Sequence, residues 1–363
     1  LNRRGLDYGL AWRIVRGKYR KARQGLLWPL RRRAIERRLE VLSGAGTHGN
    51  GPTDCVVTTL VRDNEHIVEP FLEHCLALGA ARIVLLDNGS QDSTVARAQR
   101  YERVTILRCT LPFHVYEPDM KRFLIERYAE GRWCLAADVD ELFDYPGSDR
   151  LPFAGFLRYL DEHRYTAVAA LLLDLFADGP HPEWPEGGRA MIEACVWYDP
   201  AGFRPWRFPW LRRANRFADP NLPLYEGGIR EQLFGRRTIT TKFPLLRYQR
   251  GGGLNLRSLE HTIEGGHVAD VSAVLRHYKF DRAFLERWRM AAERGRHRVH
   301  IKDHRAASVV AEQNPQLVLR GPAARRLAHV NQLVDEGLLS ASRAYWDWVQ
   351  SWPRADSGSS PGR

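Results

Sequence analysis

The sequence predicts an α/β fold: a mostly parallel sheet with helices on both faces, a basic helical arm before it and further helices after it. Three observations lead there. Short apolar, β-branched runs alternate with segments of helical apolar period from residue 54 onward. The runs are apolar at successive rather than alternate positions, as in strands covered on both faces. Polar and acidic residues cluster directly after them, where a parallel sheet presents its ligand edge.

The first run, Cys55–Val61, is a strand on this reading. Ile67, Val68, Phe71, Leu72, Cys75 and Leu78 then recur at helical spacing, with Asp63 or Asn64 as the expected N-cap. The cycle continues with strand Arg82–Leu86, helix Ser93–Tyr101, strand Val104–Leu107, helix Pro118–Tyr128 and strand Trp133–Ala137. Ala167–Phe176 is a long apolar strand, whereas residues 178–227 are rich in Gly, Pro, Trp and Arg without a period and read as a pocket wall or lid. Glu231–Phe234, Thr241–Tyr248 and Ala273–Phe280 are expected strands, followed by helices from Arg282 to about Gly295 and over Pro322–Trp348. The organisation expected is an arm and linker over 1–50, one domain over 51–290 with halves 51–178 and 179–290, C-terminal helices over 291–350 and a disordered tail over 351–363.

The chain of 363 residues, 44% hydrophobic and 27% charged, is long enough to bury a large core without disulfides or a partner. No stretch approaches the roughly 20 apolar residues that cross a bilayer. Five cysteines, an odd number without C-x-x-C spacing, read as core thiols in a reducing compartment. No apolar signal segment follows the basic start, so the expected location is cytoplasmic.

The formal charge of +12 is concentrated in residues 1–45, which hold 13 Lys and Arg against 3 Asp and Glu. Leu10, Trp12, Ile14, Val15, Leu26, Leu27, Trp28 and Leu30 are interleaved with that charge. Such a segment suits a helix lying on an anionic membrane surface, or equally a solvated helix packed on its own domain. Nucleic-acid binding is not expected, because no nucleic-acid motif accompanies the charge.

Three polar clusters follow the first, second and fourth runs: Arg62–Glu65, Asp87–Ser90 and Asp138–Glu141. Parallel strands would bring all three to one edge. Asp138, Val139 and Asp140 form a D-x-D, with Glu141 beside it. Alone, two acids so spaced fit a solvated turn. After the fourth strand of a series they suit a divalent cation, Mg²⁺ or Mn²⁺, which takes carboxylate and phosphate oxygens and neutralises a departing diphosphate.

The stretch from Val56 to Thr94, V-V-T-T-L-V-R-D-N-E and then I-V-L-L-D-N-G-S-Q-D-S-T, followed by A-A-D-V-D-E, resembles the donor half of family 2 glycosyltransferases of the GT-A fold. A weaker likeness to a bacterial branch continues through G-G-I-R-E-Q-L-F, T-K-F-P-L-L-R-Y and L-R-H-Y-K-F. The resemblance implies transfer of a sugar from a nucleotide-sugar donor to a glycan or lipid-linked acceptor, inverting and metal-dependent. It implies that Thr59 borders the nucleotide, Glu65 and Asp87 contact base or ribose, Asp138 sits by ribose and metal, and Asp140 ligates the metal. A peripheral position on the inner face of the cytoplasmic membrane follows by analogy with lipid-linked acceptors. Asn88 departs from the family, which commonly has Asp there.

An inverting transfer needs a carboxylate to deprotonate the acceptor hydroxyl. Glu231, in G-G-I-R-E, is the first candidate, although pairing with Arg230 is an equal reading; Asp174 and Glu226 stay open. His277 and Lys279, two apart after an apolar run, share a face; the resemblance to GT-A enzymes implies His277 in the metal shell and Lys279 at the diphosphate, and a surface pair is the other reading. Asp92, Ser90 and Thr94 are assigned to turn and cap duty. Two other readings remain: a nucleotidyltransferase, and a non-catalytic scaffold that binds nucleotide or membrane.

Overall fold

A computed structural model describes residues 26–44, 54–235, 237–256, 261–287, 309–310 and 313–353. Among the described residues eleven strands form one sheet: β1 (Glu40–Ser43), β2 (Cys55–Val61), β3 (Arg82–Asp87), β4 (Val104–Arg108), β5 (Arg132–Ala136), β6 (Glu141–Asp144), β7 (Ala167–Asp174), β8 (Arg216–Phe217), β9 (Thr241–Tyr248), β10 (His267–Val268) and β11 (Ala273–His277). Their order is β1-β4-β3-β2-β5-β9-β7-β10-β8, with β11 on β7 and β6 on β11. β4, β3, β2 and β5 run parallel, and β11 runs parallel to β7. β9 is antiparallel to both of its neighbours, β5 and β7.

Helices cover both faces, as the continuous apolar runs require. Cys55, Val57, Ile83, Leu85, Trp133 and Leu135 face a core shared with α2 (Val68–Leu78), Ala98 of α3 (Thr94–Ala98) and α5 (Phe153–Glu162). The alternate residues Val56, Leu60, Val84, Leu86 and Cys134 face a second core built by α1 (residues 26–38) and α4 (Phe113–Tyr128). Each large side chain so enclosed, Phe71 or Leu124 for example, contributes about 1.5–3 kcal/mol relative to exposure. All five cysteines are buried and free, as expected of core thiols.

Several elements differ from expectation. α4 starts at Phe113, five residues before Pro118, which the helix carries internally. The expected cap Asn64 serves through its backbone carbonyl, which accepts from Ile67 N and Val68 N at 3.1 and 3.0 Å, and α2 begins only at Val68. Glu231–Phe234 is not a strand but part of α6 (Ile229–Phe234), which opens after Gly228 at φ 85° and closes on Gly235 at φ 63°. The long C-terminal helix is two shorter ones, α7 (Asn331–Asp335) and α8 (Arg343–Ser351). Gly337, at φ 73°, breaks the chain between them, and Ser342 caps α8 by accepting from Tyr345 N. The expected helix after Arg282 is helical over residues 284–287, and its remainder lies outside the described residues, as do residues 1–25 of the arm and the tail from residue 354.

The described part of the arm belongs to the domain. Trp28 and Ile35 of α1 are buried in the second core, Arg122 of α4 stacks 4.1 Å from the Trp28 ring, and β1 pairs with β4.

His74 on α2 lies 2.8 Å from the Phe143 carbonyl, and burial, assisted by the charge of Arg276, lowers its pKa to about 4. Between its ordinary value of 6.5 and 4 the folded chain binds fewer protons here than the unfolded chain, so stability falls as pH falls through that window. His74→Gln, which keeps a donor for Phe143, is expected to lose less Tm than wild type from about pH 7 to about pH 5. Parallel Tm curves would show that His74 carries no such dependence.

Candidate active site

The carboxyl ends of β2 and β3 lie side by side, and their polar loops are tied together. Asp63, at φ 55°, donates its amide to Ser90 Oγ at 3.0 Å and accepts from Gln91 N at 2.8 Å. Asn64 N donates to Thr94 Oγ1 at 2.8 Å and Glu65 N to Asp92 Oδ2 at 3.0 Å. Asp92 Oδ1 accepts from Thr94 N at 2.9 Å, so Asp92, Ser90 and Thr94 hold the turns, as the sequence suggests. Glu65 is exposed at this seam; Ser93 Oγ and N, at 2.5 and 3.2 Å from Glu65 Oε2, lower its pKa.

Asp87 is fully buried, with one oxygen on Arg108 Nε and the other on Ser90 N, both at 2.8 Å. It holds its loop and its neighbouring strand. The Asn at 88 has a local reason: its Nδ2 donates to the carbonyls of Cys109 and Leu111 at 2.6 and 2.9 Å. A carboxylate there would face two acceptors with no proton to offer.

The third cluster follows β5. Asp138 is half-buried between two lysines, Lys121 of α4 at 2.9 Å from Oδ1 and Lys242 of β9 at 3.1 Å from Oδ2. Lys242 also reaches Glu141 Oε1 at 2.5 Å, and Glu141 Oε2 accepts from Asp138 N at 3.2 Å. Burial alone would raise the Asp138 pKa, but the two ammonium groups outweigh it and hold the carboxyl well below the usual range. Thr59 is buried, its hydroxyl without a protein partner, and with Lys121, Asp138 and Lys242 it lines a small cavity.

Asp140 points the other way. Its Oδ2 is 3.3 Å from His277 Nε2 and 3.6 Å from Lys279 Nζ, so the two residues predicted to share a face do meet the same carboxylate. Burial opposes the charge of Asp140, yet Lys279 and His277 keep its pKa well below the ordinary value. His277 is raised in turn: burial lowers it, and the carboxylates of Asp140 and Asp174 more than compensate. Asp174 Oδ1 is 2.5 Å from His277 Nδ1 and its Oδ2 accepts from Arg230 Nε at 2.8 Å. Although burial would raise Asp174, Arg230 and His277 bring it to about 2.

Asp140, Glu141 and His277 each offer one ligand atom, and these atoms lie within 4.8 Å of one another. Two carboxylates with an imidazole form a donor set that Mn²⁺ accepts. Asp138, expected in this shell, lies outside the group because its oxygens are turned to the lysines.

The candidate bases are all engaged. Glu231 takes Arg204 Nη2 on both oxygens, at 2.7 and 3.0 Å, and Thr238 N on one. Burial would raise it, but Arg204 and that amide lower its pKa. The partner is Arg204, not the expected Arg230, which serves Asp174. Glu226 is held by Arg204 and Arg237.

Two residues that sequence reasoning missed are Lys121 and Lys242. The signal was present for Lys242: a charged residue inside T-K-F-P-L-L must either break the strand or meet a buried acid. A larger cleft, about 310 Å³, opens on the opposite face of β11 between Asp144, Arg276, Tyr278 and the segment Leu327–Asn331.

No protein-family model matches the chain, and no curated protein matches it. One similar solved structure is the mannosyltransferase PcManGT from Pyrobaculum calidifontis in complex with GDP-Man and Mn²⁺. It aligns over 92% of this chain and 93% of its own, at 14% identity and a TM-score of 0.34. A likeness so distant transfers no role to any residue. The mixed α/β architecture rests on the strands and helices described above.

Proposed function

We propose that the chain is a glycosyltransferase that moves a sugar from a nucleotide-diphosphate donor to a glycan or lipid-linked acceptor with the help of a divalent cation. The observation that supports this most is the convergence of Asp140, Glu141 and His277 at the edge where the β2 and β3 loops also end. In this reading those three side chains hold Mg²⁺ or Mn²⁺, which when bound neutralises charge growing on the leaving diphosphate. Lys279, beside Asp140, lies where it would meet the same phosphates. Thr59 and Glu65 border the nucleotide, and Asp138, charged and fixed by its lysines, is the acceptor for a ribose hydroxyl.

For an inverting transfer the acceptor's proton needs a carboxylate, and Asp174, Glu226 and Glu231 each have both oxygens committed. Glu231 is the candidate an acceptor would reach most readily, since its own side chain is 24% exposed, against 11% for Glu226 and 3% for Asp174.

The test is a panel of nucleotide sugars with Mn²⁺. Slow release of nucleoside diphosphate, absent in Asp140→Ala, supports the reading. Pyrophosphate from a nucleoside triphosphate would replace it with nucleotidyl transfer, and no binding of any donor would leave a scaffold.

Peripheral attachment to the inner face of the cytoplasmic membrane belongs to the same proposal. No helix among the described residues is long and apolar enough to cross a membrane. On α1, Leu26 and Leu30 are 80% and 63% exposed and share a helical face with exposed Arg33 and Arg37. The double variant Leu26→Asp, Leu30→Asp is expected to float less with phosphatidylglycerol vesicles than wild type at unchanged Tm. Equal flotation would remove this face from membrane binding.

A further inference from the structure

This inference rests on the reading that Asp140, Glu141 and His277 hold a divalent cation. His277 can give that cation only its Nε2, which faces Asp140 at 3.3 Å, because its Nδ1 is 2.5 Å from Asp174 Oδ1. The sheet sets this pair: β7 and β11 are parallel with Asp174 directly opposite His277. Asp174 is fixed in turn by Arg230 Nε on its other oxygen at 2.8 Å, and Arg230 stands in the first turn of α6. The His277 and Asp174 side chains are 4% and 3% exposed, so solvent does not compete for these bonds.

The geometry points to Asp174 and Arg230 as positioning residues for the cation, acting through the tautomer of His277. An ionised carboxylate can only accept. The hydrogen of a neutral His277 ring is therefore held on Nδ1, and Nε2 turns its lone pair toward Asp140 and Glu141, the form a metal requires. Arg230 keeps the carboxylate from rotating away. It also links this position to the G-G-I-R-E segment, which leads into the Glu231 and Arg204 pair.

Asp174→Asn in the full chain makes the test sharp. Arg230 Nε donates, so the asparagine must give it the carbonyl oxygen, which leaves the NH₂ facing Nδ1. Nδ1 then has to accept, the hydrogen moves to Nε2, and the lone pair is lost to the metal. Mn²⁺ affinity, read by electron paramagnetic resonance without donor, is expected to fall about 10- to 100-fold. The imidazole ¹⁵N shifts of the metal-free protein, read at a pH where the ring is neutral, are expected to change from the Nδ1–H to the Nε2–H form. Adding Arg230→Leu lets the introduced asparagine turn its carbonyl back to Nδ1, so the double variant is expected to regain the Nδ1–H form and part of the Mn²⁺ affinity. A purely structural role for Asp174 predicts no such rescue.

Wild-type Mn²⁺ affinity and Nδ1–H shifts in Asp174→Asn would overturn the inference. Should that single variant not fold, an Nε2–H ring in the double variant overturns it equally. His277→Ala and Asp140→Ala separate the two levels. If both bind Mn²⁺ like wild type, the metal reading falls and takes this inference with it; if both weaken and Asp174→Asn does not, only the positioning role is lost.

Discussion

Asp140→Ala is expected to lower donor turnover by about 10³-fold, roughly 4 kcal/mol of transition-state stabilisation, while leaving the metal-free Tm within a few degrees of wild type. The size follows from what the side chain supplies: one of the two carboxylates in the proposed donor set, with His277 and Lys279 aimed at the same oxygen. The small change in Tm follows from what remains: Lys279 is 29% exposed and can be solvated, and His277 keeps Asp174. Steady-state turnover with the best donor, alongside a melting curve, checks both halves. Activity above about a tenth of wild type would mean that no essential cation is held there.

Lys242→Met is expected to act on stability, at about 3–5 kcal/mol, the cost of leaving a buried charge without its partner. Asp138 would keep Lys121, but Glu141 is 2% exposed and would lose the ammonium at 2.5 Å. The double variant Lys242→Met, Glu141→Gln removes the stranded charge and is expected to recover most of the loss. Urea unfolding of the two single variants and the double variant measures this. A loss below about 1 kcal/mol in Lys242→Met, or no recovery in the double variant, would show that the lysine does not hold Glu141.

The strands were the most legible part of the chain, because a run such as Cys55–Val61 has no other way to stay out of water on both faces. Loop roles that need only local chemistry, such as Asp92 and Thr94 at a turn, were also readable. The misreadings share a cause: they depended on partners distant in sequence. Glu231–Phe234 looks extended from its residues, yet two glycines at positive φ and the Arg204 pair make it a helical turn. The ion pair that Asp87 makes with Arg108 of the next strand was likewise invisible in the local sequence. That Asp138 turns to two lysines and Asp140 to His277 could not be read from the D-x-D itself, since the partners come from three separate elements.

The antiparallel strand β9 carries a consequence for how the protein is made. It fills the gap between β5 and β7, but about a hundred residues separate it from β5 along the chain. Until the ribosome has delivered it, both strands offer bare hydrogen-bonding edges, and the nascent chain is open to mispairing. A fragment ending at residue 178 would be caught permanently in that state. The two halves read from the sequence share this one sheet, and expression of the first alone is expected to give aggregate.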